Sequence, residues 1–219
     1  MNNNNDNNRG GGLIILAVIA ASAFVSWVIR VFRKHRINKH TKKIVIMGGV
    51  GSGKTTLWKQ LRGETLRYEY EPTSGEEDVS KFTFSTKRGR KIYVEKTKDM
   101  GGADDYVKYF RDLLVDGTFV FLLVDLTKLN AEAHDQIFAM LNMIKRTLNL
   151  KSKGAGLKIL ATHFNDYSRR NKTREDAKHD VKEFLGHNKL KKYSDKSIEV
   201  VELRDEADIE KVKEEIANS

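Results

Sequence analysis

The stretch IMGGVGSGKTTLWKQL, residues 46–61, decides the fold. It contains the full pattern G-x-x-x-x-G-K-[S/T], placed between a β-branched run and a helix-forming segment, which is the context that this pattern requires. In such a loop the glycines let successive backbone N–H groups turn inward around a phosphate, and the next helix points its positive end at the anion. We therefore predict a polyphosphate-binding loop made of Gly48, Gly51, Ser52, Gly53, Lys54, Thr55 and Thr56.

The side chains of this loop have separate expected roles. Lys54 is predicted to reach the β- and γ-phosphate oxygens and to act in catalysis, and the Thr55 hydroxyl is predicted to bind Mg²⁺. Two downstream sites would complete the metal and γ-phosphate contacts. Thr73, in the loop after the first helix, would close over the γ-phosphate and coordinate Mg²⁺. Asp99 opens a D-x-x-G pattern whose carboxylate would contact the metal through water, while the backbone N–H of Gly102 would sense the γ-phosphate.

A phosphate loop alone does not distinguish ATPases, kinases and GTPases, so the base-recognition loop matters. The segment THFND, residues 162–166, follows a buried apolar strand, which is where such a loop belongs. It supplies four candidate nucleotide-binding residues, namely Thr162, His163, Asn165 and Asp166.

Strand and helix patterns alternate from residue 43 onward. KIVIMG, GTFVFLLVDL and GLKILAT indicate buried strands, and two strands around residues 79–85 and 91–95 are predicted to form a hairpin with its turn at residues 87–90. Amphipathic segments between these strands indicate helices. The pattern predicts an α/β fold, with a mostly parallel sheet flanked by helices on both faces.

The N-terminal part of the chain has a different composition. Residues 1–12 are rich in Asn and Gly and are predicted to be disordered, and residues 13–29 carry no charge. We predict a transmembrane helix over 13–32, a basic juxtamembrane linker over 33–42, and a phosphate-loop domain over 43–219. The basic residues that follow the apolar run place the N-terminus outside or in a lumen and the domain in the cytoplasm, with the lipid bilayer as a partner. A cleaved signal peptide and a buried core helix are the alternatives.

The net charge of +10 would suit a nucleic-acid-binding protein, but its distribution argues against that class. Residues 30–43 contain seven basic residues and no acidic ones, so most of the excess lies in one short segment. A stripe of positive charge across a folded surface, as nucleic acid requires, is not predicted. The absence of cysteine excludes disulfides and thiolate metal sites.

The order of these motifs resembles the small GTPases. GSGKTTLWKQL, EPTSGEEDV, DMGGADDY and FVFLLVD are similar to the phosphate loop, the two switches and the central strand of the Arf group, and to the membrane-anchored β subunit of the signal-recognition-particle receptor. The resemblance covers roughly residues 43–217. It implies a P-loop NTPase fold of the small-GTPase type, GTP or GDP and Mg²⁺ as ligands, and a protein partner that reads the switch loops.

The chain departs from that family in two places. The resemblance implies a glutamine after the D-x-x-G to orient the attacking water, and Ala103 stands there. The family's base loop reads N/T-K-x-D, whereas here His163 replaces the lysine and Asn165 the aspartate, with Asp166 one residue later. We expect slow intrinsic hydrolysis, and a one-residue shift of the base loop that lets Asp166 supply the carboxylate.

These inferences favour a membrane-anchored GTP-binding switch on the cytoplasmic membrane face, with protein targeting or traffic as its expected setting. Two alternatives stay open. Ala103 and the altered base loop favour a nucleotide-binding scaffold with little or no turnover, and Asn165 leaves open an ATP-dependent protein of a related fold.

Overall fold

The computed structural model describes residues 26–30, 41–66, 75–101, 109–148, 156–169, 171–186 and 197–219. The chain divides into two compact units, Met1–His40 and Thr41–Ser219. Within the first unit the described residues, 26–30, are helical.

The second unit is built on a six-stranded sheet. Its strands are β1 (Thr41–Gly48), β3 (Phe82–Ser85), β4 (Lys91–Val94), β6 (Thr118–Asp125), β7 (Gly156–Thr162) and β8 (Ile198–Val200). Their order across the sheet is β3-β4-β1-β6-β7-β8, and every neighbouring pair except β3–β4 is parallel. The described helices are α1 (Lys54–Arg62), α2 (Phe110–Leu113), α3 (Ala131–Thr147), α4 (Phe164–Ser168), α5 (Arg174–Leu185) and α6 (Glu206–Asn218). The predicted mostly parallel α/β sheet is confirmed.

Alternate residues of the central strands enter two separate apolar layers. In β1, Ile44 and Ile46 pack with buried residues of α1 and α6, whereas Val45 and Met47 pack with buried residues of α3 and α5. Strand β6 is buried along almost its whole length, because both of its faces are covered. The two layers fix the sheet between the helices, so the carboxyl ends of β1, β6 and β7 meet at one edge.

The predicted hairpin is confirmed, with one difference. β3 and β4 pair antiparallel, and Thr86 N–H donates to Arg90 O at 3.0 Å across the turn. The strand predicted over residues 79–85 is divided into β3 and a separate strand, β2 (Glu76–Val79). β2 pairs antiparallel with β5 (Thr97–Met100) in a two-stranded sheet of its own. β5 is the element that carries Asp99.

The predicted transmembrane helix over residues 13–32 is wrong, and with it the single-pass membrane localisation. Among the residues that the structure describes, no helix is long and apolar enough to cross a membrane. The described part of that span is the five helical residues 26–30, and a bilayer core requires about 20 apolar residues. The remainder of the span, the predicted disordered segment 1–12 and the linker residues 33–40 lie outside the described residues.

Candidate nucleotide-binding site

The phosphate loop connects the end of β1 to the start of α1. Gly53 is the N-cap of α1 with φ 95°, and it brings no side-chain cap to the first turn, which also contains no acidic residue. A Cβ added at Gly53 would lie 2.4 Å from Leu203 Cδ1, so glycine is required both by the backbone and by the space. The N-cap residue therefore offers the N-terminal amides of the helix no side-chain acceptor, which is the arrangement that binds an anion.

Lys54 folds back onto this loop. Its Nζ donates to the carbonyl oxygens of Gly48 and Gly49, both at 2.9 Å, and the residue is 6% exposed. Burial lowers the pKa of the Lys54 ammonium to about 8; the carboxylate of Asp99 opposes this change and the charge of Lys128 adds to it. A buried ammonium held mainly by neutral carbonyls is a strong binding site for a phosphate anion.

Asp99 and Thr55 meet beside this lysine. Thr55 Oγ1 donates to Asp99 Oδ2 at 2.6 Å, which brings together two of the residues predicted to bind the metal. Burial raises the pKa of the Asp99 carboxyl, although the Thr55 hydrogen bond and the Lys54 charge act in the opposite direction. Asp99 Oδ1 is buried and has no hydrogen-bond partner within the described part of the chain.

These residues fit a magnesium ion. A buried carboxylate oxygen without a partner is costly, and a divalent cation or its water would satisfy it. The described residues contain no cluster of three or more His, Cys, Asp or Glu side chains that could hold a metal alone. Mg²⁺ is commonly held by one or two carboxylates together with waters and substrate phosphates, so Asp99 and Thr55 would bind it jointly with a nucleotide.

Thr162 attaches the end of β7 to the phosphate loop. Its fully buried Oγ1 donates to Ser52 O at 2.9 Å, across 110 residues of chain. The side chain of Ser52 is buried and contributes to the packing of the loop. The backbone N–H of Ser52 donates to Gly49 O at 3.3 Å. The predicted base loop thus starts in direct contact with the predicted phosphate loop.

We expect Thr162→Val to destabilise the protein, because it leaves the buried Ser52 carbonyl without its hydroxyl donor. The expected loss of unfolding free energy is about 1–3 kcal/mol, which lowers Tm by several degrees as measured by thermal denaturation. Thr118→Val is the matched control, since the Thr118 hydroxyl is fully buried but has no partner among the described residues. Equal Tm values for the two variants would contradict the role given to Thr162.

The rest of the base loop forms the start of α4. His163 is its N-cap and adopts a left-handed conformation, φ 61°. Asn165 and Asp166 are both exposed; Asn165 N–H donates to Glu202 Oε2 at 3.1 Å, and Asp166 pairs with Arg169 at 3.3 Å. The Glu202 carboxylate thereby links the base loop to the loop that follows β8. Neither Asn165 nor Asp166 is singled out by these contacts as the residue that reads the base.

The structure brings most of the predicted residues to one edge of the sheet. Asp99 and Thr162 each contact the phosphate-loop segment, at Thr55 and Ser52 respectively, and Thr56 lies half-buried in the first turn of α1. Thr73 and Gly102 lie outside the described residues. Sequence reasoning missed Asp125 and Lys128, which also approach the loop. The spacing D-x-x-K at the end of the central strand was the available signal.

The comparisons with known proteins agree with this geometry. A family model described as "PduV-EutP: Ethanolamine utilisation - propanediol utilisation" matches residues 41–74, which include β1, the phosphate loop and α1. Curated proteins give no match. Among solved structures, the Roco2 RocCORdC protein of Methanosarcina barkeri, bound to GDP, matches with 20% identity and a TM-score of 0.55. The match covers 82% of this chain and 50% of that one, so the chain spans half the length of its solved neighbour. The chain has the mostly parallel α/β fold of a P-loop GTPase.

Proposed function

We propose that this protein binds GTP and GDP with Mg²⁺ and acts as a nucleotide-dependent switch. One observation carries the proposal. The Lys54 ammonium, Thr55 hydroxyl and Asp99 carboxylate converge at the start of α1, and one oxygen of Asp99 has no hydrogen-bond partner among the residues that the structure describes. In this arrangement Lys54 would exchange its carbonyl acceptors for phosphate oxygens, while Thr55 and Asp99 would hold the metal.

The choice of guanine is supported by the base loop. Thr162 is fixed against Ser52, so the segment that follows it is held at the edge of the phosphate loop. Asp166 offers the carboxylate that guanine N1–H and N2–H require, provided that it releases Arg169. Asn165, which stands where the N/T-K-x-D pattern has its aspartate, would instead place an amide against these donors. We expect Asp166→Asn to reduce guanine selectivity more than Asn165→Ala does.

The regulatory part of the proposal rests on the resemblance to the Arf group and the receptor β subunit. Thr73 and Gly102 would contact the γ-phosphate in the GTP state and lose that contact after hydrolysis, and a protein partner would recognise the difference. Ala103 replaces the glutamine that orients water. Intrinsic hydrolysis is therefore proposed to be slow, with a partner supplying the missing group where turnover occurs.

The nucleotide that copurifies with the full-length protein is the first test. Guanine nucleotide identified by chromatography after denaturation supports the proposal, and adenine nucleotide would move the protein to the ATP-dependent class. A single-turnover assay at saturating Mg²⁺ then tests hydrolysis. Fast phosphate release by the isolated protein would contradict the expected slow step, and no release even with candidate partners would favour a nucleotide-binding scaffold.

Nucleotide affinity is expected to fall as the pH rises above about 8. The pKa of Lys54 in the free protein is lowered to about 8 from 10.5, so above that pH binding must take up a proton to restore the ammonium. The loss approaches about tenfold in affinity per pH unit. The stability of the free protein changes oppositely, because the cost of burying this charge is absent above 10.5 and grows as the pH falls to about 8.

Isothermal titration of Mg²⁺–GDP at about pH 7 and about pH 8.5, in two buffers of different ionisation enthalpy, measures this proton uptake directly. Uptake should be small at the lower pH and approach one proton at the higher. Binding heats that do not depend on the buffer at about pH 8.5 would show that Lys54 is not the titrating group.

A further inference from the structure

Three consecutive carbonyls of the phosphate loop accept a hydrogen bond from a lysine ammonium. Lys54 binds the carbonyls of Gly48 and Gly49, and Lys128 Nζ donates to the carbonyl of Val50 at 3.0 Å. Lys128 lies in the connection between β6 and α3, 78 residues further along the chain than Val50. The contact is therefore a tertiary one, which exists because β6 pairs beside β1 in the sheet.

The carboxylate of Asp125 orients this second lysine. Lys128 Nζ lies 3.5 Å from Asp125 Oδ2, and the Asp125 side chain is 8% exposed. Asp125 Oδ1 accepts from Thr127 N–H at 2.9 Å and from Thr127 Oγ1 at 2.7 Å. The same oxygen is 3.4 Å from His163 Nδ1, at the start of the base loop. The nearly buried carboxylate of Asp125 thus connects Lys128, which contacts the phosphate loop, with His163 at the start of the base loop.

We propose that Lys128, oriented by Asp125, is a positioning residue that fixes the phosphate loop and strengthens the binding of a polyphosphate. The inference rests on the function proposed above and adds a residue from outside its motifs. By holding the Val50 carbonyl, Lys128 limits the rotation of the Val50–Gly51 peptide, whose N–H belongs to the ring of amides that surrounds a phosphate.

An ordinary surface ion pair is the competing explanation, since a half-exposed lysine with an aspartate three residues away commonly contributes little. A second lysine–aspartate pair of similar exposure, away from the phosphate loop, distinguishes the positioning role from an ordinary surface ion pair. Lys211 lies 3.0 Å from Asp208 with the same i,i+3 spacing, and the exposures are 56% and 2%, against 51% and 8% for Lys128 and Asp125. Lys211 lies on α6 and beside Asp208 rather than the phosphate loop.

The test compares Lys128→Met with Lys211→Met in the full-length protein. Mg²⁺–GDP and inorganic pyrophosphate serve as probes in isothermal titration, and Tm confirms that both variants fold. We expect Lys128→Met to lower the affinity for both probes by the same factor, roughly tenfold, because the variant changes the phosphate loop and not the contacts to the base. Lys211→Met should bind like the wild type.

A second variant separates positioning from general loss of stability. Lys128→Arg keeps a charged donor for the Val50 carbonyl, so it should recover most of the affinity for both probes that Lys128→Met loses. An unchanged affinity for both probes, or a loss confined to GDP, would overturn the role of Lys128 while leaving the proposed function intact. A wild-type protein that binds neither probe would overturn the proposed function itself.

Discussion

Lys54→Met is expected to lower the affinity for Mg²⁺–GDP by at least about 100-fold while leaving the nucleotide-free protein no less stable at pH 7. The two effects have one cause. The ammonium is almost completely buried, and its partners in the free protein are two neutral carbonyls and the charge of Asp99. The lowered pKa of Lys54 shows that burial of the charge outweighs these partners, so its removal relieves a cost.

The loss of affinity follows from the bonds that Lys54 would make to phosphate. Hydrogen bonds between charged groups contribute about 1.5–3 kcal/mol each, and two of them to oxygens of the β-phosphate of GDP correspond to roughly 100- to 10,000-fold in Kd. Methionine fills the buried stem of the side chain without donor or charge. Isothermal titration gives the affinity, and thermal denaturation without nucleotide gives the stability.

Lys158→Met is the matched control, because Lys158 is also a buried lysine, 7% exposed, on strand β7. Its partner is the carboxylate of Glu215 at 2.9 Å. That variant should lose stability and keep its nucleotide affinity, the reverse of Lys54→Met. If both variants kept full affinity for GDP, the phosphate site would not be where the loop places it.

The parts of this structure that the sequence predicted are those that depend on local pattern. The glycine spacing predicted the loop between β1 and α1, and the apolar runs predicted the buried strands β1, β6 and β7. A local pattern does not specify which strands lie side by side. The contact between Lys128 and Val50 depends on β6 pairing with β1, and the contact between Asn165 and Glu202 depends on β7 pairing with β8.

The incorrect predictions have physical reasons as well. Hydropathy is a property of composition, and 17 uncharged residues are close to the minimum length for a bilayer, so the membrane prediction depended on flanking charges rather than on a full-length span. The strand over residues 79–85 was predicted as continuous because the segment contains β-branched and aromatic residues and is not interrupted by Gly or Pro. In the structure the pairing partner changes within it, from β5 for Val79 to β4 for Phe82.

Asp99→Asn is expected to remove most of the dependence of nucleotide affinity on Mg²⁺. In the wild type, Thr55 donates to one carboxylate oxygen and the other is buried without a partner in the described residues. Asparagine keeps the shape and the acceptor for Thr55, but it lacks the charge that a divalent cation requires. Residues that support a bound metal through water or a neighbouring ligand typically contribute 10- to 100-fold in affinity, so we expect roughly that loss with Mg²⁺ and little change in EDTA.

In the absence of nucleotide, Asp99→Asn should not lower the stability of the protein at pH 7, although it weakens metal binding. The difference in stability between the variant and the wild type should depend on pH. Burial raises the folded pKa of Asp99 above 3.8, so the wild type gains stability from the protonated carboxyl in acid and loses it as the pH rises through the folded pKa. Asparagine is neutral throughout, and the variant should therefore be at least as stable as the wild type at pH 7, with its relative advantage smaller in acid. The control is Asp78→Asn, which changes an exposed carboxylate of strand β2 that pairs with Lys96 and should leave the dependence of affinity on Mg²⁺ unaltered. Undiminished Mg²⁺ dependence in Asp99→Asn would place the metal elsewhere and contradict the metal-binding role proposed for Asp99.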